Sequence, residues 1–173
     1  MDEKQTLTAR LRRRLTRDDE AEERHVLRVR IKQQDEVPKH VTLNDKLGEG
    51  TFATVFTGVT MMQPSETRAI KVIDRRTSNW KLLEAECAVL ERVKHDHIIG
   101  LFMILEAPKY LYLVLEWCRY GDLDTKVRQM PENRLPDRTA AHITLQLADA
   151  LAYLHHNVVE EAACCVLRLV ALL

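Results

Sequence analysis

The sequence LGEGTFATV at residues 47–55 decides the fold, together with RAIKV at residues 68–72. The first stretch spaces Gly48 and Gly50 as Gly-x-Gly-x-x-Ala and continues into a β-rich run, Ala53 to Thr60. Glycine lets a backbone pass close to a ligand because no Cβ stands in the way. In dinucleotide-binding folds a helix follows such a loop, whereas here a strand follows. The spacing therefore predicts a β-hairpin that covers phosphate groups.

Strands extend outward from this hairpin on both sides. Runs rich in β-branched and apolar residues predict five of them. They are Val41 to Leu47, Ala53 to Thr60, Thr67 to Asp74, Ile98 to Glu106 and Tyr110 to Trp117. Residues 61–66, which include Pro64, are predicted as a turn. Upstream, Leu27, Val29 and Ile31 alternate with basic residues, a period of two that fits a short edge strand.

Helices are predicted between and after these strands. Apolar residues at helical spacing indicate a helix near Ser78 to Lys94. Asp122 to Arg128 is predicted as a short helix, and a longer one begins after Pro136 with Asp137 as its cap. The apolar stripe of the longer helix consists of Ile143, Leu147, Leu151 and Leu154.

Two charged residues on these elements are candidates for a phosphate site. Lys71 lies in the apolar run RAIKV, where a lysine normally avoids burial. Either its side chain faces outward from the strand, or its charge is held in a cleft for phosphate groups. Glu86 is either a solvated helix carboxylate or part of the same site. A glycine hairpin, a strand lysine and a helix glutamate in this order are a much stronger signal together than singly.

Six ordered motifs resemble a eukaryotic-type protein kinase of the serine/threonine type, with features similar to the calcium/calmodulin-dependent group. From Lys39 to Val159 they are LGEGTFATV, RAIKV, the Glu86-bearing helix that ends in KHDHII, LYLVLEW, GDL and LADALAYLHHNVV. The resemblance implies an α+β fold. Its kinase-like N-lobe would hold a five-stranded antiparallel sheet and one helix, and a partial helical C-lobe would follow.

The resemblance also implies ATP as the bound nucleotide. The glycine hairpin would cover the phosphates, and Val55 and Ala69 would sandwich the adenine. Lys71 would bind the α- and β-phosphates and pair with Glu86. The implied ATP-binding residues are Leu47, Gly48, Glu49, Gly50, Thr51, Phe52, Val55, Ala69, Lys71, Glu86, Leu115, Glu116, Cys118 and Asp122.

Four residues of that set lie at the end of the fifth predicted strand or soon after it. Leu115 matches the family's gatekeeper position, beside the adenine. By resemblance, the Glu116 carbonyl and the Cys118 amide would hydrogen-bond the adenine. Asp122 matches an acidic residue that often contacts the ribose.

The family's catalytic residues do not occur in these 173 residues. The family continues from a segment like YLHHNVV into His-Arg-Asp, whereas Glu160 follows Val159 here, and Asp-Phe-Gly is also absent. No catalytic residue and no metal ligand is therefore predicted, although the parent family uses Mg²⁺. The expectation is a truncated, catalytically incompetent form of a kinase that transfers the ATP γ-phosphate to protein Ser or Thr. The alternatives are a pseudokinase-like module that binds or competes with a partner kinase, and a sensor that binds ATP without hydrolysis.

Composition narrows the remaining classes of function. Lys+Arg and Asp+Glu are both 26, so the zero net charge gives no reason to expect nucleic acid as a partner. No apolar run reaches the length of about 20 residues that a membrane helix needs. The four cysteines are not spaced as a disulfide framework or a zinc site, which favours a reducing compartment, the cytoplasm or the nucleus. A protein partner is expected on apolar surface that the missing half of the domain would leave exposed.

The chain divides into four predicted segments. Residues 1–38 are a charged, flexible arm, 39–118 the kinase-like N-lobe with the ATP site, 119–159 the start of the helical C-lobe, and 160–173 an apolar tail outside the family pattern. For the tail, an extension of the preceding helix ranks above a cover for surface left bare. Both rank above a membrane or partner anchor.

Overall fold

A computed structural model describes residues 26–51, 53–76 and 79–157. Its strands are β1 Leu27–Arg30, β2 Val41–Glu49, β3 Ala53–Thr60, β4 Gln63–Asp74, β5 Leu101–Glu106 and β6 Tyr110–Leu115. Its α-helices are α1 Trp80–Arg92, α2 Leu123–Arg128 and α3 Asp137–Asn157, and short 3-10 helices span Gln34–Lys39 and Pro131–Asn133. The predicted α+β class is confirmed.

The strands form one sheet in the order β1-β5-β6-β4-β3-β2. The five predicted strands pair antiparallel, as expected for a meander followed by a second hairpin. The sixth strand, β1, pairs parallel with β5. It corresponds to the alternating residues Leu27, Val29 and Ile31, so the edge strand is present and the sheet has six strands.

The sheet is covered on both faces. On the face that we call the helix face, Leu83, Cys87 and Leu90 of α1 pack on the sheet. Two residues of α3, Ala150 and Leu154, join the same cluster. Helix residues three and four apart share one face, which is why one stripe of α1 is buried while the rest is solvated.

The opposite face carries a second apolar cluster, built with the residues that precede and begin β2. Ile31, Val37 and Val41 pack there on Ile70 and Val114, which are fully buried. The predicted flexible arm covered residues 1–38, yet the described part, 26–38, forms β1 and most of a 3-10 helix packed on the sheet. The difference arises because apolar residues of this segment, such as Ile31 and Val37, lie among its charged residues and pack on the sheet. Residues 1–25 lie outside the described residues.

The turn before β4 and the apolar stripe of α3 also differ from the prediction. The predicted turn at residues 61–66 is shorter, because β4 already begins at Gln63 and Thr60 pairs with Gln63. Pairing then resumes at Gly58 and Arg68, so Pro64 lies in an irregular part of the ladder where no amide donor is needed. On α3 the predicted apolar stripe is only partly packed, because Leu154 is buried whereas Leu147 is 41% exposed.

Candidate nucleotide-binding site

The glycine-rich stretch forms the tip of the β2–β3 hairpin. Gly48 pairs with Val55 and Glu49 with Thr54 across the two strands. The amide of Gly50 donates a hydrogen bond to the carbonyl oxygen of Ala53 at 2.8 Å, which closes the tip. The hairpin that the spacing predicted is therefore confirmed, and a strand follows it rather than a helix.

The chain itself does not require glycine at this tip. A Cβ added to Gly48 would meet no atom within 4 Å, and one on Gly50 would lie 3.7 Å from the Ala53 carbonyl oxygen, an ordinary contact. Neither residue has a positive φ angle. Among the glycines that the structure describes, only Gly121 has one. Because packing and backbone conformation leave room for a side chain, these glycines suit the close approach of something other than the chain.

Lys71 lies on the helix face of the sheet. Side chains alternate along a strand, so Lys71 shares a face with Ala69 and Ile73, both members of the cluster that α1 packs against. Its cross-strand neighbours are Val55 on β3 and Leu113 on β6. The register therefore disfavours the alternative in which the Lys71 side chain faces outward. The side chain is half-buried on the side of the sheet that carries α1.

Glu86 lies on α1 beside that helix's buried stripe. It falls three residues after Leu83 and four before Leu90, both buried, and is itself half-buried. Lys71 and Glu86 are both described, and the structure places no atoms of their charged groups within the 4.0 Å of an ion pair. The register brings the two residues to one face of the sheet, and their pairing stays a prediction.

The segment Glu116 to Cys118 follows β6 directly, next to Leu115 of the helix-face cluster. Leu115 is 3% exposed and belongs to the helix-face cluster. The Glu116 amide donates to the Gly100 carbonyl oxygen at 2.8 Å, and the Glu116 carboxylate accepts from the Gly100 amide at 3.3 Å. Within the described part of the chain, the Glu116 carbonyl and the Cys118 amide take part in no hydrogen bond. These are the acceptor and the donor that an adenine edge needs.

The thiol of Cys118 lies in a partly buried position in this segment. Burial raises the pKa of Cys118, and the negative charge of Glu116 adds to the rise. The neutral thiol is thereby favoured, so Cys118 suits contact with an uncharged ring better than reaction as a thiolate.

Asp122 has a structural role that the sequence analysis did not assign. It precedes α2, and its carboxylate accepts from the Thr125 amide at 2.7 Å and from the Thr125 hydroxyl at 2.8 Å. These hydrogen bonds lower the pKa of Asp122. An Asp followed three residues later by Thr at a helix start was the available signal for this N-cap. Its predicted contact with ribose is a separate role.

The remaining predicted residues lie around the hairpin tip. Leu47 is 51% exposed and Thr51 is also exposed. Glu49 pairs with Lys46, whose hydrogen bond and charge lower the pKa of the Glu49 carboxyl. Phe52 lies outside the described residues. The tip is therefore solvent-facing, as a loop that closes over a ligand would be.

Sequence reasoning also missed a contact between α3 and the segment after α1. The Tyr153 hydroxyl accepts from the Lys94 amide at 3.0 Å, and the ring of His95 lies 4.9 Å from that of Tyr153. The Asp149 carboxylate lies 3.5 Å from Nε2 of His95. Because Lys94 and Tyr153 are 59 residues apart, local sequence patterns gave no signal for this contact. The contact fixes α3 against the end of α1.

The described residues hold no group of three or more His, Cys, Asp or Glu side chains arranged to bind a metal ion. The Asn and Asp that hold Mg²⁺ in the kinase resemblance have no counterpart in the 173 residues. The described residues therefore do not offer the set of ligands that Mg²⁺ would need. Across the same described residues, no helix has the length and apolar character to cross a membrane.

The six-stranded sheet carries a glycine hairpin on β2 and β3, a lysine on β4 and the helix α1 packed on one face, an arrangement consistent with the N-lobe of a protein kinase. The model of the protein kinase domain family matches residues 41–160. This match covers more than half of the chain, so the chain belongs to the protein kinase domain family.

Curated relatives agree with that family. The chain is 35% identical over 118 residues to CBL-interacting protein kinase 4 of Oryza sativa subsp. japonica, covering 65% of this chain and 26% of the relative. It is 33% identical over 124 residues to serine/threonine-protein kinase 33 of Mus musculus, covering 70% and 25%. It is 39% identical over 120 residues to "Probable serine/threonine-protein kinase fhkC" of Dictyostelium discoideum, covering 66% and 20%. The chain thus spans between 20% and 26% of the length of these relatives.

Proposed function

We propose that the 173 residues bind ATP between the β2–β3 hairpin and α1, and that by themselves they do not transfer its phosphate. The observation that carries the proposal is the open hairpin tip, where the chain needs neither Gly48 nor Gly50 for its own packing. In a longer protein that supplies the missing motifs, the same site would serve transfer of the γ-phosphate to Ser or Thr, the activity named in the relatives.

Each part of the site has a chemical task in this proposal. Val55 and Ala69 present apolar surface to the adenine, and Leu115 limits the depth of the pocket. The Glu116 carbonyl accepts from the adenine amino group, while the Cys118 amide donates to a ring nitrogen. Lys71 offers its ammonium group to the phosphates, where a half-buried position strengthens the attraction relative to bulk water.

Catalysis needs groups that these residues lack. A positioned base contributes about 10²- to 10⁴-fold to such reactions, and metal ligands contribute the electrostatic stabilisation of the transferring phosphate. Asp122 caps α2, Asp124 lies within that helix, and Asp149 lies in α3 beside His95. None of the three is a substitute for the catalytic aspartate of the family pattern, so binding without turnover is the expected behaviour of this chain.

A thermal-shift experiment with ATP tests the binding. A ligand at ten times its dissociation constant stabilises the folded state by roughly 1.4 kcal/mol, so wild type should show a saturable rise in Tm. Lys71→Met should abolish the rise, because the phosphates lose their cation. Lys109→Met is the matched control, since Lys109 lies in the exposed turn between β5 and β6. An unchanged Tm in wild type, or an equal rise in Lys71→Met, contradicts the proposal.

A phosphotransfer assay tests the absence of turnover. The purified chain, incubated with Mg-ATP and generic Ser/Thr substrates, should give no signal above the background. Turnover that Lys71→Met removes would show that these residues do carry catalysis, and the second half of the proposal would then be wrong.

A protein-interaction role is a second candidate, favoured by the surface of α3. Leu145 is 62% exposed and Leu147 41% exposed on this helix. Large apolar side chains exposed on a helix can mark a partner surface. A partner kinase, bound or competed with through this helix, would fit that surface. Light scattering of the chain alone and with candidate kinases tests it, and a monodisperse monomer that captures none of them argues against it.

We also propose a cytoplasmic location. Cys87 and Cys118 are free thiols, which suits a reducing compartment. Fractionation of cells that express the tagged chain would check this, and recovery from the secretory pathway would contradict it.

A further inference from the structure

Strand β1 lies upstream of the residues that match the kinase family, 41–160, yet it is built into the sheet. It pairs in parallel with β5 over four residues, from Leu27 opposite Met103 to Arg30 opposite Glu106. The Ile31 amide then donates to the Glu106 carbonyl oxygen at 2.9 Å. The segment is therefore fixed to the sheet edge by main-chain hydrogen bonds.

Side chains of β1 neutralise a buried carboxylate. The Glu106 side chain is 3% exposed, and burying an unpaired carboxylate is costly. Arg30 donates to Glu106 Oε2 from Nε at 2.9 Å, and its Nη2 lies at the same distance. Nε of Arg28 lies 3.5 Å from Glu106 Oε1. Both carboxylate oxygens thus face an arginine of β1.

Arg28 also reaches the helix that carries Glu86. Its Nε lies 3.4 Å from Oε1 of Glu91, in the last part of α1. At the other end of α1, the Arg75 guanidinium lies 4.4 Å from the centre of the Trp80 ring. Between these two points the apolar stripe of α1, formed by Leu83, Cys87 and Leu90, packs on the sheet. The two arginine contacts add a polar attachment at each end of the helix.

We propose that β1 is a tether through which the chain upstream of the kinase domain sets the position of α1, with Arg28 as the positioning residue. The consequence for the site rests on the proposed ATP binding: Glu86 lies five residues before Glu91 on the same rigid helix, so a shift of α1 moves Glu86 relative to Lys71. Arg30 holds Glu106 whether or not Arg28 is present, so the tether to α1 is separable from the folding of the sheet edge.

Hydrogen exchange on the full chain, resolved by segment, tests the tether. In Arg28→Ala the amides of residues 80–92 should exchange faster than in wild type, while those of β5 and β6 stay unchanged. Glu91→Gln approaches the same contact from the helix and leaves β1 and Glu106 intact, so it decides the matter even if Arg28→Ala folds poorly. The double variant should exchange no faster than either single one, because both remove one interaction. Arg128→Ala, which removes an exposed ion pair with Asp124 on α2, is the matched control.

Titration with a non-hydrolysable ATP analogue gives the second readout. The dissociation constant should rise about two- to fivefold in Arg28→Ala and Glu91→Gln, the range of a single partly exposed ion pair, with Tm nearly unchanged. If wild type binds the analogue and neither variant changes its affinity, the proposal is overturned. If wild type binds no analogue, the proposed function fails, and exchange alone decides the tether: faster exchange confined to α1 supports it, and unchanged exchange overturns it.

Discussion

The base and the tip of the β2–β3 hairpin both contain glycine, for different physical reasons. At the base, a Cβ on Gly58 would lie 2.2 Å from the Thr42 carbonyl oxygen and 2.5 Å from Cδ1 of Ile70. At the tip, a Cβ on Gly48 would meet nothing within 4 Å. The chain therefore requires glycine at the base for packing, whereas the tip glycines have no such intramolecular reason. The contrast assigns the glycine at the base to stability, and it leaves the tip glycines free to serve the ATP contact that we propose.

Replacing the glycine at the base should have the largest effect. Gly58→Ala forces the new methyl group against a backbone oxygen that cannot move without shifting β2. Overpacking of this kind costs about 1–3 kcal/mol, and contact with backbone favours the upper part of that range. Urea unfolding should show the loss as a lower midpoint. Gly48→Ala is the matched control, and equal midpoints for the two variants would remove the distinction between base and tip.

A polar contact in the middle of the hairpin should have an intermediate effect. The Asp45 amide donates to Thr57 Oγ1 at 3.0 Å, and that hydroxyl donates back to the Asp45 carbonyl oxygen at 3.3 Å. Pairing is irregular there, between Leu43 and Lys46, so the Thr57 hydroxyl replaces a ladder partner. Thr57→Val should cost about 1–2 kcal/mol, because it leaves the Asp45 groups without that partner.

Thr54→Val is the control for that change, because Thr54 is half-buried on the same strand and its hydroxyl makes no hydrogen bond within the part of the chain that the structure describes. The free energy of unfolding from urea titration compares the two variants. Equal losses would mean that the hydroxyl contributes nothing beyond the general effect of valine.

The ion pair at the tip should have the smallest effect on stability. Lys46 and Glu49 are both solvent-exposed, and such pairs contribute little. Because Lys46 lowers the pKa of Glu49 from 4.5, any contribution is present above that pH and is lost as the pH falls through the lower folded-state pKa. Glu49→Gln should therefore unfold at nearly the wild-type urea midpoint at pH 7, and any residual difference should vanish in acid. A large loss at pH 7 would show that the tip is also a structural element.

Most of the sheet was predictable because its signals are local. Strand β3 has the predicted bounds, Ala53–Thr60, and α1 is two residues shorter at each end than the predicted helix. Periodicity reports which face of an element is apolar, and the antiparallel strands follow one another in sequence. The positions of Lys71 and Val55 follow from that register. The family's assignment of roles to them comes from resemblance.

The contacts of β1 were harder to predict because their partners are distant in sequence. Arg28 and Arg30 look like solvated charges until β1 pairs with β5, which brings Glu106 beside them from 76 residues away. A parallel edge strand leaves only a weak alternating pattern. The contact of Tyr153 with Lys94 likewise joins residues that are 59 apart in sequence. The Asp122 cap, by contrast, is local, because its partner Thr125 lies three residues on.

Calorimetric titration of Gly48→Val with a non-hydrolysable ATP analogue tests the central claim most directly. Valine suits a β-strand and has open space at this position, so urea unfolding should remain close to that of wild type. Its side chain would stand where the hairpin approaches the phosphates, so the dissociation constant should rise at least about tenfold, a loss of roughly 1.4 kcal/mol of binding free energy. An unchanged affinity in a stably folded Gly48→Val would contradict the assignment of the hairpin tip to ATP.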